Sequence, residues 1–279
     1  MDERRAHVTG FYARHPISAA QVLAKVEAER GSLENLSPAS LWPHDQDHYG
    51  GLKANQALAR AAGLAPGMQV ADFCAGLGGP ARWYASSCGV KVTGIDLTPE
   101  RVAGAADLNR RTGMDDRVRV IEGDVTATGL VDASFDAVLS QEAFLHVPDK
   151  FAALGEAQRL LKPGGVLAFT DWVAHRPLSG DEAGTMWQGI AAQTVQSPED
   201  YAALFKRAGF ALEAVEDLTL EWGEVLAGRL TMYTTMREET RAAGLPAGDE
   251  AFYAAYVKLV AMVRSRVLGG MRFVARKPA

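Results

Sequence analysis

Short apolar runs alternate with helical periodicities through the middle of the chain. Five runs with the length and composition of buried strands follow one another: MQVADFC, KVTGIDL, VRVIEGD, FDAVLSQ and GVLAFTDW. Helices are predicted to begin near Pro80, Pro99, Asp149 and Pro198, and LKPGG before the fifth run predicts a turn. Strands and helices that alternate in this way form a doubly wound, mostly parallel sheet. The pattern therefore predicts an α/β fold with a ligand crevice at the carboxyl ends of its strands.

The regions on either side of these runs predict further elements. An apolar face that includes Val22 and Val26 predicts a helix ending near Gly31. SPEDYAALFKRAGF predicts a helix with Ser197 as its N-cap, FALEAVEDL a sixth strand and GGMRFVARK a seventh, preceded by a mainly helical stretch with a break at GLPAGD. We expect four segments: an N-terminal helical lid (1–50), a Rossmann-like core (51–220), an inserted helical cap that shapes the substrate pocket (221–264) and a final core strand (265–279).

The turn after the first strand carries the candidate chemistry. VADFCAGLGGPARWYA contains the spacing Gly76-x-Gly78-x-x-Ala81, and Asp96 ends the second strand 20 residues after Gly76. The glycines allow close approach of a ligand, the helix start presents free N–H groups, and the carboxylate can accept both hydroxyls of a ribose. This predicts an adenosine-containing cofactor, but a lone match of this kind fits NAD as well as other nucleotides.

Three further features argue against NAD. Asp72 stands four residues before Gly76, where a dinucleotide fold normally has an apolar residue, and a carboxylate there suits a cationic cofactor or fixes the turn. Asp124 ends VIEGD, where it can meet the amino group of an adenine. The second half, FDAVLSQEAFLHVPD followed by LKPGGVLAFTDW, is distinctive.

With these motifs the chain resembles the class I S-adenosylmethionine-dependent methyltransferases, from about Asp47 to Trp172 and more weakly at GGMRF. The resemblance implies a seven-stranded sheet and S-adenosyl-L-methionine as the cofactor. It implies these cofactor-binding residues: Asp72, Ala75, Gly76, Gly78, Asp96, Leu97, Asp124, Val125 and Gln141. The family pattern often has glycine where this chain has Cys74, and a small side chain that points away from the cofactor would be tolerated there.

Within that class the chain is similar to small-molecule N-methyltransferases of the sarcosine/dimethylglycine and phosphoethanolamine type. The likeness rests on SQEAFLHVPDK, DHYGG and GGMRF. It implies methyl transfer to a small metabolite at an amine nitrogen. Related sequences also methylate oxygen or carbon in natural products, so these acceptors stay open. An NAD(P)-dependent oxidoreductase and a cofactor-binding protein without transferase activity are the remaining alternatives, because fold alone does not decide function.

Three residues are candidates for catalysis. Glu142 and His146 are four apart, so on a helical turn they would share one face toward the crevice. The phosphoethanolamine enzymes carry an acid and a histidine at these positions. The hypothesis is that His146 is a base or proton relay, and that Glu142 orients it or contacts an ammonium group. Alternatively both support the pocket, or Gln141 and Glu142 contact the cofactor. Tyr49 in DHYGG is expected to fold over the cofactor, where its hydroxyl could touch the substrate or the methionine carboxylate; alternatively its ring is an aromatic plug in the lid.

Other side chains offer weaker indications. Aromatic residues of the second half could hold a methylated cation, or could equally pack in the core: Trp172, Trp187, Trp222 and Tyr233. Three arginines could pair with a substrate carboxylate or phosphate, although solvation at the surface is their default: Arg229, Arg237 and Arg266. His44 and His48 are four apart, but without a further ligand cluster they favour a capped loop over a metal site.

Composition narrows the partners and the compartment. The 279 residues include 29 Lys and Arg against 34 Asp and Glu, a formal net charge of −5, and no long basic run. A nucleic acid or an anionic membrane is therefore not expected as a partner. The expected partner is a small-molecule substrate, and a homo-oligomer is left open. The charged start and the lack of a long apolar stretch predict a cytoplasmic protein. Cys74 and Cys88 are expected to be reduced core residues.

Overall fold

A seven-stranded sheet forms the centre of the computed structural model, which describes residues 3–13, 17–243 and 250–279. The strands are β1 (Gln69–Phe73), β2 (Lys91–Asp96), β3 (Val118–Glu122), β4 (Phe135–Gln141), β5 (Leu161–Ala174), β6 (Ala211–Asp217) and β7 (Leu268–Arg276). Their order across the sheet is β3-β2-β1-β4-β5-β7-β6. Strands β1 to β5 are parallel, and β7 runs antiparallel to both β5 and β6. The predicted doubly wound, mostly parallel fold is confirmed.

Eleven helices are present in the described part of the chain. They are α1 (Glu3–Ala13), α2 (Ala19–Arg30), α3 (Pro38–Leu41), α4 (Gly51–Ala61), α5 (Gly79–Cys88), α6 (Pro99–Arg111), α7 (Lys150–Leu160), α8 (Gly180–Ile190), α9 (Pro198–Arg207), α10 (Thr219–Ala242) and α11 (Glu250–Arg264). The starts follow the sequence signals: the Ser197 hydroxyl accepts a hydrogen bond from the Asp200 N–H, and Asp149 caps α7 in the same way. Helices α7 and α9 pack on one face of the sheet, and α4 and α5 on the other.

The predicted turn at LKPGG is instead part of β5. Leu161 pairs with Phe135 and Val166 pairs with Ala137, so the residues between Leu161 and Val166 form a bulge in the strand. Gly164 has a positive φ of 76°, and a Cβ on Gly165 would lie 2.9 Å from the carbonyl oxygen of Lys162. The glycines thus permit a bulge within a continuing strand, where the sequence indicated that the strand had not yet begun.

The cap and the N-terminal region pack against the carboxyl end of the sheet. Trp222 and Leu226 of α10 share a buried cluster with Leu259 of α11. The face of α2 that carries Val22 and Val26 packs against α6. The predicted break at GLPAGD lies outside the described residues. Among the helices described, none is long and apolar enough to span a bilayer. The boundaries of the four expected segments stay predictions.

Candidate active site

A cavity lies at the carboxyl ends of β1, β2 and β4, between the sheet, α1, residues 45–49 and the cap. Most of the residues selected from the sequence line it: Tyr49, Asp72, Ala75, Gly76, Asp96, Leu97, Asp124, Val125, Gln141, Glu142 and His146. Gly78 is not among its lining residues. It begins α5 with a positive φ of 72°, and a Cβ there would approach the Arg82 guanidinium. The cavity is therefore lined by side chains at strand ends, such as Asp72 and Asp96, and by side chains of connecting segments, such as Tyr49 and His146.

The glycine turn is fixed by the carboxylate of Asp96. The Gly76 N–H donates to Oδ2 of Asp96 at 2.8 Å, and the Thr98 N–H donates to Oδ1 at 2.9 Å. Gly76 has a positive φ of 55°, and a Cβ would lie 3.2 Å from the Arg101 guanidinium. Burial raises the pKa of Asp96, and the two backbone hydrogen bonds oppose that shift. The carboxylate is thus held at the cavity wall with lone pairs left to accept further hydrogen bonds.

Two buried acceptors at the cavity wall have no partner among the described residues. They are Oδ2 of Asp72 and Oε1 of Gln141, whereas Nε2 of Gln141 donates to Asn55 at 2.8 Å and to the Tyr84 hydroxyl at 3.0 Å. Burial, and then the nearby Asp96, raise the pKa of Asp72 to about 7. Buried polar atoms are normally hydrogen-bonded, so this pair fits a ligand that brings N–H donors and positive charge.

Cys74 lies between β1 and the glycine turn with a positive φ of 58°. It lines the cavity and also packs against the apolar core beneath the sheet. This backbone region favours glycine, so a cysteine here is strained. Burial raises the pKa of the thiol well above its usual range, which keeps it protonated at neutral pH.

His146 is the last residue of a short 3₁₀ turn, Phe144–His146. Its Nε2 lies 2.7 Å from the hydroxyl of Tyr12 on α1, and its Nδ1 lies 3.1 Å from the carbonyl oxygen of Ala191. Because a carbonyl oxygen only accepts, Nδ1 carries the hydrogen, and Nε2 accepts a hydrogen bond from Tyr12. Burial lowers the pKa of His146 to about 4, so the ring is neutral and Nε2 keeps its lone pair.

The predicted helical pairing of Glu142 with His146 is wrong. Glu142 precedes the 3₁₀ turn with a positive φ of 55°, and its Oε1 accepts a hydrogen bond from the Tyr49 N–H at 2.7 Å. His146 instead has Tyr12 and Ala191 as hydrogen-bond partners. Burial raises the pKa of Glu142 to about 8, so its carboxyl is mostly protonated at neutral pH. Both residues line the same cavity, but Glu142 anchors the 45–49 segment rather than the histidine.

Arg229 from α10 brings a positive charge to the cavity. Its guanidinium stacks 4.7 Å from the centre of the Tyr49 ring, which packs edge-on against Trp172 and Trp222. Within the described residues, Arg229 forms no hydrogen bond or ion pair, and it lines the cavity. Because Arg229 already covers a face of Tyr49, this aromatic cluster is a poor site for a second cation.

The other weak candidates have partners elsewhere. Arg237 pairs with Glu250 and Arg266 with Asp217, Trp187 stacks on His7, and Tyr233 packs against Phe252 and Tyr256. His44 pairs with Glu29, and His48 contacts Gln46 and the Tyr49 carbonyl. In the described ranges no group of three His, Cys, Asp or Glu side chains is arranged to hold a metal ion.

Two ion pairs that sequence reasoning missed fix residues 45–49 over the cavity. Arg82 pairs with Asp45 at 3.0 Å, with both side chains fully buried, and Arg101 pairs with Asp47 at 2.9 Å. A Cβ on Gly79 would collide with the carbonyl oxygen of Asp45, so glycine is required where this segment crosses the start of α5. Such long-range pairs leave no periodic signal in a single sequence.

Comparison with known proteins adds a family to this geometry. Residues 71–169, from β1 into β5, match the protein family described as a methyltransferase domain. The chain contains a methyltransferase domain. The predicted resemblance to class I S-adenosylmethionine-dependent methyltransferases is therefore confirmed for this part of the chain. The matched region of the methyltransferase domain contains Asp72, Asp96, Asp124 and His146.

Curated relatives of the methyltransferase domain act on different acceptors. Sterol 24-C-methyltransferase of Gibberella zeae is 33% identical over 170 residues, which are 58% of this chain and 44% of the relative. Glycine/sarcosine/dimethylglycine N-methyltransferase of Actinopolyspora halophila is 30% identical over 203 residues, which are 73% of this chain and 35% of the relative. The chain therefore aligns with less than half the length of these relatives.

A solved structure supports the fold over nearly the whole chain. Phosphoethanolamine N-methyltransferase 2 of Haemonchus contortus, in complex with phosphomonomethylethanolamine and S-adenosylhomocysteine, matches with a TM-score of 0.75. The match has 24% identity and covers 98% of this chain and 61% of that chain. The sheet with its N-terminal and cap helices is thus an arrangement found in a known methyltransferase.

Proposed function

We propose that this chain transfers a methyl group from S-adenosyl-L-methionine to a nitrogen atom of a small molecule that also carries a carboxylate or phosphate. The observation that carries the proposal is one cavity that joins the carboxylates at the strand ends to a neutral His146. The first set of groups suits a cationic nucleoside, and His146 suits the removal of a proton from an acceptor.

The donor side of the cavity fits S-adenosyl-L-methionine. When bound, it supplies a methyl group on a positively charged sulfur for in-line displacement. The unpartnered acceptors of Asp72 and Gln141 would receive the ammonium group and offset positive charge. Asp96 would accept the ribose hydroxyls, and Leu97, Asp124 and Val125, which line the same cavity, would contact the adenine. Ala75, Gly76 and Gly78 shape the backbone turn between them.

The acceptor side would remove a proton through Tyr12 and His146. An ammonium group has no lone pair until it loses a proton, so an amine acceptor needs a base nearby. The Tyr12 hydroxyl donates to Nε2 of His146, which leaves the oxygen lone pairs of Tyr12 able to accept a proton from the substrate. As that proton arrives, the hydroxyl proton moves to His146. Tyr49 and Glu142 shape the wall beside this pair.

Arg229 supports an acceptor that carries a negative group. A guanidinium at a cavity wall that has no hydrogen bond or ion pair within the described residues can form charge-assisted hydrogen bonds with a carboxylate or phosphate. The N-methyltransferase relative and the neighbouring structure name acceptors of this kind, namely glycine derivatives and phosphomonomethylethanolamine. Carbon or oxygen methylation is the second candidate, and the similarity to a sterol 24-C-methyltransferase favours carbon.

Two measurements test the proposal. S-adenosylmethionine or S-adenosylhomocysteine should raise the thermal unfolding temperature, and NAD should not, because only a ligand of the native state stabilises it. Stabilisation by NAD alone would support the oxidoreductase alternative. A methyl-transfer screen read by mass should then compare amines that differ only in an anionic group, such as phosphoethanolamine with ethanolamine and glycine with methylamine, together with phenols and sterols.

The outcomes of the screen separate the parts of the proposal. Methylation confined to phenols or sterols would contradict the nitrogen acceptor and leave methyl transfer intact. Equal turnover of charged and neutral amines would contradict the role of Arg229. Binding of S-adenosylmethionine without turnover of any acceptor would favour a cofactor-binding protein. The cytoplasmic location, the homo-oligomer and the four segment boundaries stay predictions.

A further inference from the structure

Lys150, the first residue of α7, is buried beneath the turn that carries His146. Its ammonium group donates to the carbonyl oxygens of Phe144 and Val147, at 2.8 and 3.2 Å, and so grips both ends of the turn. The carbonyl oxygen of Thr194, at 3.0 Å, and the Thr194 hydroxyl oxygen also lie within hydrogen-bond distance, so the three N–H donors are shared among four acceptors. Only 2% of Lys150 is exposed, which is rare for a lysine unless its charge is satisfied.

The opposite edge of the turn faces a buried carboxylate. The Leu145 N–H donates to Oδ1 of Asp171 at 3.0 Å, and the hydroxyl of Tyr201 donates to Oδ2 at 2.5 Å. Carbonyl oxygens of the turn thus face an ammonium group, and an N–H group of the turn faces a carboxylate. Burial lowers the pKa of Lys150 to about 8, and Asp171 opposes that shift, so the ammonium stays mostly charged at neutral pH.

The segment from Ala191 to Thr194 meets the turn at both of its ends. Thr194 binds the Lys150 ammonium, and the carbonyl oxygen of Ala191 accepts the hydrogen of His146 Nδ1. Between them, the Gln193 N–H donates to the Leu145 carbonyl oxygen at 2.7 Å. Ala191 has a positive φ of 52°, a conformation that a non-glycine residue keeps only where its surroundings impose it. The contacts at Thr194 supply such a restraint.

We propose that Lys150 is a positioning residue for His146. By joining the turn to Thr194, it holds the Ala191 carbonyl oxygen against Nδ1, which fixes the hydrogen on that nitrogen and leaves Nε2 to accept a proton. This rests on the proposed function, in which His146 receives the proton of the acceptor. Lys150 does not line the cavity, so it acts only through the histidine. A buried lysine with a purely structural role would leave the ring hydrogen unaffected.

The test compares Lys150→Met with Lys162→Met in protein with ¹⁵N-labelled histidines. Lys162 pairs with Asp136 at the β5 bulge, away from the turn, so its replacement controls for the loss of a lysine. In the wild type and K162M, the ring nitrogens of His146, assigned by their loss in His146→Gln, should show hydrogen on Nδ1 alone. In K150M we expect the two tautomers to mix. A folded K150M protein that retains only the Nδ1 form would overturn the proposal.

Turnover gives a second readout. K150M should lower kcat about 100-fold, the effect of a small misplacement of a catalytic group, while the dissociation constant for S-adenosylhomocysteine changes less than about 2-fold. Unchanged kcat in folded K150M would also overturn the proposal. The tautomer measurement needs no acceptor, so a failure to find any methyl acceptor would contradict the proposed function without deciding the role of Lys150.

A milder pair of variants covers the case in which K150M does not fold. Thr194→Val removes one of the four acceptors around the ammonium group and leaves the three carbonyl oxygens in place, and Thr194→Ser keeps the hydroxyl. We expect T194V to mix the tautomers partly and to lower kcat about 10-fold, and T194S to behave as the wild type. Identical tautomers and kcat in T194V and T194S would count against the proposal.

Discussion

Asp72 has a buried carboxylate oxygen without a partner among the described residues, whereas the carboxylate of Asp96, at the end of β2, accepts two backbone hydrogen bonds. Removing such a group from water costs free energy that the rest of the fold does not offset. A residue that lines a cavity and lowers the stability of the ligand-free protein is expected to serve in ligand binding.

Asp72→Asn should therefore weaken cofactor binding without weakening the fold. We expect the dissociation constant for S-adenosylmethionine to rise about 10- to 100-fold, because a charge-assisted contact worth about 1.5–3 kcal/mol is lost. Calorimetry measures this effect. Asp136→Asn, which removes the surface ion pair with Lys162, should lower stability slightly and leave binding unchanged. Equal binding by D72N and the wild type would exclude Asp72 from the cofactor site.

The same carboxyl group predicts a pH dependence of stability. The folded pKa of Asp72 is about 7 and its ordinary value is 3.8, so the folded protein binds this proton more tightly than the unfolded chain. Its contribution to the free energy of unfolding is full below about pH 4 and is lost as the pH rises through about 7. Glu142 and Asp171 shift in the same direction, so the test is the difference between the wild type and D72N.

Urea unfolding of the ligand-free proteins at pH 5 and pH 8 measures that difference. The wild type should lose more stability than D72N between the two values. A parallel fall in both proteins would mean that the Asp72 carboxyl finds a partner or water in solution.

Tyr12→Phe tests the proposed transfer of a proton from the acceptor through the Tyr12 hydroxyl to His146. Losing the hydroxyl should lower kcat about 10- to 100-fold, the usual contribution of a general acid or base, and leave S-adenosylhomocysteine binding unchanged. Tyr253→Phe is the matched control, since the Tyr253 hydroxyl contacts Thr234 in the cap and does not line the cavity. Because burial lowers the pKa of His146 to about 4, kcat of the wild type should not fall as the pH is lowered through 6.5, the ordinary pKa of histidine. Full turnover by Y12F would contradict the relay.

At the scale of elements, residues 45–49 behave as a strap held by the buried pair Arg82 and Asp45. Asp45→Ala would leave the guanidinium buried beside Asn109 alone, and we expect a loss of about 3–5 kcal/mol in the free energy of unfolding. Asp107→Ala, which removes exposed pairs with Arg110 and Arg111, should cost less than about 1 kcal/mol. Denaturant unfolding measures both variants. Similar losses in the free energy of unfolding would show that the buried pair stabilises the protein no more than the exposed pairs do.

Elements with local signals could be predicted from the sequence. The apolar runs identified β1 to β5, and proline or serine marked the starts of α6 and α9. LKPGG misled because proline and glycine permit a bulge as readily as a turn, and only pairing with β4 decides between them. Glu142 and His146 misled because the spacing of four assumed a helix, whereas the chain turns with a positive φ at Glu142.

The site could be predicted only where the sheet defines it. Asp72, Asp96 and Gln141 follow from the rule that parallel strands end at one edge. Tyr12, Arg101 and Arg82 could not be found, because each meets its partner from a distant part of the chain: Tyr12 reaches His146 from α1, 134 residues away. The pattern of apolar and polar residues contains no signal for such a long-range contact. Covariation between the two positions in related sequences is the signal that would reveal it.

At the scale of the whole molecule, different parts of the sheet and its connections form the donor side and the acceptor side of the proposed site. The ends of β1 and β2 carry the donor side of the proposed site, and β4 leads into the turn that carries His146. The antiparallel β7 follows the cap helices and returns the chain to the sheet beside β5. Replacing residues of the cap can therefore change the acceptor wall while the strand ends that face the donor stay as they are.

Helix α1 contributes Val8, Phe11 and Tyr12 to the cavity wall, and the ring of His7 stacks 3.9 Å from that of Trp187 on α8. Where the departure of a product requires α1 to shift, that shift takes microseconds to milliseconds. We therefore expect turnover to be limited by departure of the spent donor, so that added sucrose slows kcat in proportion to solvent viscosity. In a protein whose chemical step is slower than the opening of α1, kcat would be insensitive to viscosity.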